Sequence, residues 1–147
     1  MLPPGPTPSL LVVEDSDEDF ETVEEAVRSA GLGASPHRLM SGDALLQWLD
    51  TTVVHHPMIV LMDLNTPGID GREALRELKA DRRWRSIPVI VMSTSANPRD
   101  VEACYAAGAN AYHVKPLRYV DHLTLVTGVL KYWLQQVVPS TLTAATP

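Results

Sequence analysis

One cysteine, Cys104, stands in 147 residues, so no internal disulfide can staple this chain, and a reducing, cytoplasmic setting is expected. A lone thiol of this kind reads as a small apolar packing residue. No apolar run approaches the ~20 residues that a membrane span needs. The opening Met1-Leu-Pro-Pro-Gly-Pro-Thr-Pro-Ser9 lacks both the basic start and the apolar stretch of a secretion signal. Positive charge is also scarce. The 12 Lys and Arg face 18 Asp and Glu, for a formal net charge of −6, which argues against a nucleic-acid partner because phosphate backbones are held by basic patches. The histidines, His37, His55, His56, His113 and His122, show no metal-binding spacing with a second ligand type. A secreted disulfide scaffold, a membrane protein and a DNA-binding surface are thereby all disfavoured.

What remains is ordinary globular composition, 45% hydrophobic and 20% charged, at a length that suits one core. Pro3, Pro4, Pro6 and Pro8 make residues 1–8 an extended, disordered tail, and residues 139–147 read as a second frayed tail. Between them, residues 9–138 form one domain of alternating segments. Leu10–Val13, Met58–Met62 and Val89–Met92 are short, continuous apolar runs, the pattern of strands buried on both faces. His37–Met40 and Ala111–Val114 are weaker strands. Helices are expected from Asp17 to Ala30 before Gly31, after the cap residue Ser41, after Asp70, from Pro98 to before Gly108, and from Leu117 to Val137. Strict strand–helix alternation implies right-handed crossovers and hence an α/β fold: a doubly wound, five-stranded parallel sheet with an extended C-terminal helix.

Ligands of such sheets bind beyond the carboxyl ends of the strands, and unusual polar residues stand there. Strand 1 ends in Glu14-Asp15, strand 3 in Asp63, strand 4 in Ser93-Thr94 and strand 5 in Lys115-Pro116. Taken singly, these are turn residues, a helix cap and a surface charge. Taken together they are a chemistry. Convergent carboxylates repel unless neutralised, and a hard cation such as Mg²⁺ takes one or two carboxylates along with water and phosphate oxygens. Lys115 adds a positive point and Ser93 a hydroxyl, so the set suits a phosphoryl group with Asp63 as nucleophile. Asp17 to Glu21 read as a solvated helix start complementing its dipole, which leaves Glu14 and Asp15 as the ligands on that loop.

The runs Leu-Val-Val-Glu14-Asp15, Met-Asp63-Leu-Asn-Thr-Pro67-Gly-Ile-Asp70-Gly71, Ile-Pro88-Val-Ile-Val-Met-Ser93 and Ala-Gly108-Ala-Asn-Ala-Tyr112-His-Val-Lys115-Pro116 resemble, in order and spacing, the CheY-like receiver domains of response regulators, which have a flavodoxin-like fold. The resemblance implies that Asp63 takes phosphate from a sensor histidine kinase. It implies Mg²⁺ held by Glu14, Asp15, Asp63 and the backbone carbonyl of Asn65, phosphoryl contacts from Ser93 and Lys115, and a cis Lys115–Pro116 bond. It also implies a switch in which Tyr112 turns as Ser93 moves. Two residues depart from the common pattern: Glu14 where Asp is frequent, reaching the metal directly or through water, and Ser93 where Thr is commoner. Asn65 and Ser95 occupy positions that tune acyl-phosphate hydrolysis in this family.

After Lys115 the residues are too few for a DNA-binding output, so the expected output is contact with another protein. Tyr119, Leu123, Val126, Leu130 and Trp133 recur at alternating spacings of four and three, an expected homodimer seam, with Leu125, Val129 and Tyr132 as a second apolar row. The ending Tyr119…Leu130-Lys-Tyr-Trp133-Leu…Val138-Pro139 resembles single-domain response regulators paired with bacterial phytochromes, which implies a photoreceptor kinase upstream. Three alternatives stay open: a metal-dependent phosphatase, which wants a carboxylate where Asn65 stands; a pseudo-receiver whose output ignores phosphorylation; and a flavodoxin-like cofactor binder, whose phosphate the acidic loop would repel.

Overall fold

The structure is a computed structural model that describes residues 9–52, 58–66, 68 and 71–140. The chain runs β1 (Ser9–Val13), α1 (Asp17–Ser29), β2 (Pro36–Leu39), α2 (Gly42–Thr51), β3 (Met58–Asp63), α3 (Gly71–Ala80), β4 (Val89–Ser93), α4 (Pro98–Ala107), β5 (Ala111–Val114) and α5 (Tyr119–Lys131), which a π-helical turn (Tyr132–Gln136) extends. All strand pairs are parallel, in the order β2-β1-β3-β4-β5. The chain leaves β1 toward β2 and then returns to the other side of β1 with β3. The opening of a doubly wound sheet lies at that reversal, beyond the ends of β1 and β3.

Local sequence sets the helix ends. The Ser16 hydroxyl accepts the Asp19 N–H at 3.3 Å and starts α1; Ser41 does the same for α2 through the Ala44 N–H at 3.2 Å. Asn97 caps α4, Pro98 opens its first turn, and Gly108 closes it at φ 109. Gly108 is also needed for space, since a Cβ there would stand 2.6 Å from Lys79 Cγ. The Lys79 ammonium donates to the carbonyls of Arg85 and Ile87 and to the Asn110 side chain at 2.7–3.1 Å, tying the end of α3 to the entries of β4 and β5. The expected cap Asp70, His55 and His56, residues 1–8 and residues 141–147 lie outside the described residues.

Two expectations need correction. The last helix starts at Tyr119 rather than Leu117: Arg118 has extended backbone, ψ 136, and acts as its cap, while Leu117 is 97% exposed. The described residues hold no cis peptide bond. Lys115–Pro116 therefore takes the trans form, which X–Pro bonds favour by ~0.5–1 kcal/mol.

Candidate functional site

Pleat parity decides which side chains meet. In a strand, neighbouring side chains point to opposite faces. Leu10 and Val12 of β1, Ile59 and Leu61 of β3, and Ile90 and Met92 of β4 pack with α1 and α5. Leu11, Val13, Val60, Met62, Val89 and Val91 pack with α2, α3 and α4. Continuing those rows, Glu14, Asp63 and Lys115 fall on the α1/α5 side. Ser93 falls on the opposite side, as does Tyr112, whose ring borders that second core.

On the α1/α5 side the groups converge. Lys115 Nζ is 2.7 Å from Asp63 Oδ2, 2.7 Å from Asp19 Oδ2 and 3.4 Å from Glu14 Oε1, so its three N–H donors face three carboxylates. Asp63 Oδ1 accepts the Asn65 N–H at 2.7 Å, and Glu14 Oε2 accepts the Ser16 N–H at 3.3 Å. Arg38 on β2 ties down the loop that carries these acids: Nε donates to the Glu14 carbonyl at 2.8 Å and Nη1 to Asp17 at 2.7 Å. Glu14 and Asp63 are each only 6% exposed.

Burial first, and then the charge of Asp63, push the Glu14 carboxyl up to about 8 against a pull down from Lys115. Burial by itself would lower the Lys115 ammonium. Its hydrogen bonds to Asp19 and Asp63, with the charges of Glu14 and Asp63, outweigh that and raise it, so it stays charged at neutral pH. Between the ordinary 4.5 of Glu14 and about 8 the folded state binds more protons there than the unfolded chain, so that contribution to stability fades as pH rises through the interval. His113 and His122, lowered by burial, act in the opposite sense below 6.5. The measure is therefore a difference: in chelator, wild type should lose stability relative to Glu14→Gln as pH rises from 5 to about 8, and parallel urea-melt profiles would contradict the shift.

Asp19 was not among the candidate residues of the sequence. It sits in the first turn of α1, its N–H capped by Ser16, and its second oxygen faces Nδ1 of His122 on α5 at 3.8 Å. His122 is buried, 6% exposed. Within the acidic run from Glu14 to Asp19 nothing in the sequence singles Asp19 out. Glu14, Asp19 and Asp63 offer carboxylate oxygens that all lie within 4.8 Å of one another, the hard donor set that suits Mg²⁺. Asp15, expected among the ligands, is exposed and outside this set. The chain reverses into α1 immediately after it, and Arg38 holds the flanking residues.

Ser93 is buried, 3% exposed, and lines a separate hollow of about 130 Å³ with Leu64, Asn65, Arg72, Ser95 and Asp100. Its hydroxyl accepts the Ser95 N–H at 3.2 Å. Ser95 in turn donates to Asp100 at 2.5 Å and accepts the Tyr112 hydroxyl on its carbonyl at 2.8 Å. Tyr112 thus reaches Ser93 through Ser95.

The expected α5 seam divides. Val126 and Leu130 are 0% and 1% exposed inside the chain's own core, and Leu123 and Trp133 pack against that core. Tyr119 is exposed. Val126 and Leu130 therefore have no surface to offer a partner, because α5 spends this stripe on the sheet and α1. The open apolar face is the neighbouring row, a groove of about 350 Å³ lined by His113, Thr124, Leu125, Gly128, Val129, Tyr132 and Trp133. No described helix is long and apolar enough to cross a membrane.

A family model described as "Response regulator receiver domain" matches residues 10–127. Response regulator Rcp1 of Synechocystis sp. is 35% identical over 137 residues, covering 90% of this chain and 93% of that protein. Among solved structures, the Mn²⁺-bound form of response regulator Rcp1 superposes with a TM-score of 0.83 at 33% identity, over 92% of this chain and 99% of that one. The phosphorylated cyanobacterial phytochrome response regulator RcpA gives 0.82 at 27% identity, over 91% and 99%.

Proposed function

Because the chain belongs to the response regulator receiver domain family, we propose that Asp63 accepts a phosphoryl group from the phosphohistidine of a sensor histidine kinase. The observation that carries this reading is the 2.7 Å contact between Asp63 Oδ2 and Lys115 Nζ, which joins the ends of β3 and β5 inside a buried acidic cluster. In the transfer, the donor P–N bond breaks with its electron pair left on the imidazole nitrogen, while a carboxylate oxygen of Asp63 forms the new O–P bond. Positioning and charge neutralisation dominate such steps. Lys115 neutralises the incoming phosphoryl oxygens, and the Ser93 hydroxyl is the donor from the opposite face.

The donor set fits Mg²⁺. Glu14, Asp63, the Asn65 carbonyl and Asp15 from the exposed loop after β1 would hold it, while Asp19, the third acid of the cluster, stays on Lys115. When bound, the ion neutralises phosphoryl charge as a Lewis acid. The Mn²⁺ held by Rcp1 supports this assignment. Similarity to RcpA, a phytochrome response regulator, supports a bacterial phytochrome as the kinase.

Output follows from the Ser93–Ser95–Tyr112 connection. Drawing Ser93 toward a phosphoryl group moves the Ser95 carbonyl that holds the Tyr112 hydroxyl, which repacks the face of α4, β5 and α5. That face carries the apolar groove, and a second copy of the chain is its proposed occupant. Sedimentation should find a dimer for the native protein and a monomer for Leu125→Asp combined with Tyr132→Asp; a dimer surviving both changes would move the interface elsewhere. The reading of Asp63 is tested by incubating the protein with acetyl phosphate and Mg²⁺. A mass gain of one phosphoryl group, abolished by chelator, is the expected result, and no gain under any small acyl-phosphate donor would end it.

A further inference from the structure

We infer that Asp19 is a positioning residue for phosphoryl transfer, a fixed pivot that keeps the Lys115 ammonium in place while the amine's other partner changes from the Asp63 carboxylate to the phosphoryl oxygens. This rests on the reading of Asp63 as the acceptor.

Both oxygens of Asp63 are engaged before reaction. Oδ1 takes the Asn65 N–H at 2.7 Å and Oδ2 takes Lys115 at 2.7 Å. Each keeps a lone pair for the new O–P bond, but once that bond forms the negative charge has passed to the phosphoryl oxygens. The Asn65 donor is backbone and fixed, so the group that follows the charge is the ammonium, carried on a flexible four-carbon stem. An ammonium released without another anchor would sample many rotamers, and misplacement by ~1 Å can cost ~10²-fold in rate.

Asp19 supplies that anchor. Its Oδ2 is as close to Lys115 Nζ as Asp63 is, 2.7 Å, whereas Glu14 stands back at 3.4 Å. Asp19 is itself constrained, with its N–H on Ser16 at 3.3 Å and its other oxygen against the buried His122 ring at 3.8 Å. It comes from α1, whereas Asp63 and Lys115 come from the sheet, so its hold on the amine does not depend on what is bonded to Asp63. The opposing consideration is charge: a third carboxylate repels an arriving phosphoryl group, and if repulsion were its main effect, removing it would speed uptake.

These two roles give opposite outcomes. The full chain, with saturating Mg²⁺, is titrated with acetyl phosphate, in which the leaving acetate takes the electron pair of the broken P–O bond, and the limiting rate and the half-saturating donor concentration are read separately. Asp19→Leu should lower the limiting rate on the order of tenfold and leave the half-saturating concentration unchanged, since Asp19 does not touch the donor. Asp19→Asn, which keeps an oxygen for Lys115, should lose distinctly less. Rates at or above wild type in Asp19→Asn overturn the inference, as does equal loss in both variants, which would assign the effect to charge alone. If Asp19→Leu does not fold, the isosteric Asn variant decides by the first criterion. Wild type that gains no phosphoryl group removes the acceptor reading and this inference with it; wild type that gains one while Asp19→Asn keeps its full rate removes only the inference.

Discussion

Replacing Asp63 by Asn should abolish phosphoryl uptake while leaving the protein folded. The amide oxygen is neutral and far weaker as a nucleophile, so the rate is expected to fall on the order of 10³-fold or more, to background. Folding should survive for reasons visible in the cluster. An Asn at this position keeps an acceptor for the Asn65 N–H that Asp63 takes at 2.7 Å. Lys115 keeps its 2.7 Å partner Asp19, so no buried cation is orphaned, and the repulsion that helps raise Glu14 is relieved. The readouts are intact mass after acetyl phosphate and a urea melt in chelator. A full phosphoryl gain in the variant would move the acceptor elsewhere. A collapsed melt would mean the Asp63–Lys115 contact carries more of the fold than the shared amine implies.

The three central strands were legible because they are buried on both faces, whereas the edge strands β2 and β5 are partly exposed and read weakly. Val89–Met92 reads as one apolar run since Ile90 and Met92 serve one core and Val89 and Val91 the other. Helix ends were legible where a residue type marks them, at the cap Ser41, at Pro98 in a first turn and at Gly108 after a last one. The start of α5 was not, because its cap residue, Arg118, makes no side-chain capping bond and leaves no mark in sequence. Asp63 and Glu14 were legible because each follows an apolar run directly, and Lys115 because it ends the weaker strand Ala111–Val114 just before Pro116. Asp19 and His122 lie within helices, where one acidic or aromatic polar residue resembles any other. Only the parity of the strand rows, which turns the cluster toward α1 and α5, separates them from solvated neighbours. The α5 stripe shows the converse limit: heptad-like spacing reports a buried face without saying whether the burial is within the chain or between chains.

The Lys115 amine should prove to hold the fold as well as the chemistry, and Lys115→Met tests both. The side chain is 10% exposed, and it faces carboxylates of which Glu14 and Asp63 are 7% exposed at their side chains. Pairing buried charges gains little over an apolar filling, but removing one partner leaves the others uncompensated and costs about 3–5 kcal/mol. Asp19 is more open, at 27%, so solvent screens its share and the lower end of that range is expected for the metal-free protein at neutral pH. The exposed Arg83–Asp50 pair serves as the control, where solvent screening leaves removal of the cation with little effect. The loss should shrink as pH falls, because protons then neutralise the unpaired carboxylates. It should shrink again on adding Mg²⁺, since binding to the folded state alone contributes ~2.7 kcal/mol at a hundredfold excess over Kd, and the acids no longer share their charge with an ammonium. Stability should therefore return with Mg²⁺ while the response to phosphorylation does not, because no cation on a side-chain arm remains to follow the phosphoryl group. Urea melts in chelator and in Mg²⁺, for wild type and variant, give the four numbers needed. A variant as stable as wild type in chelator would show that these carboxylates are solvated, and the buried cluster on which the phosphoryl chemistry depends would not exist.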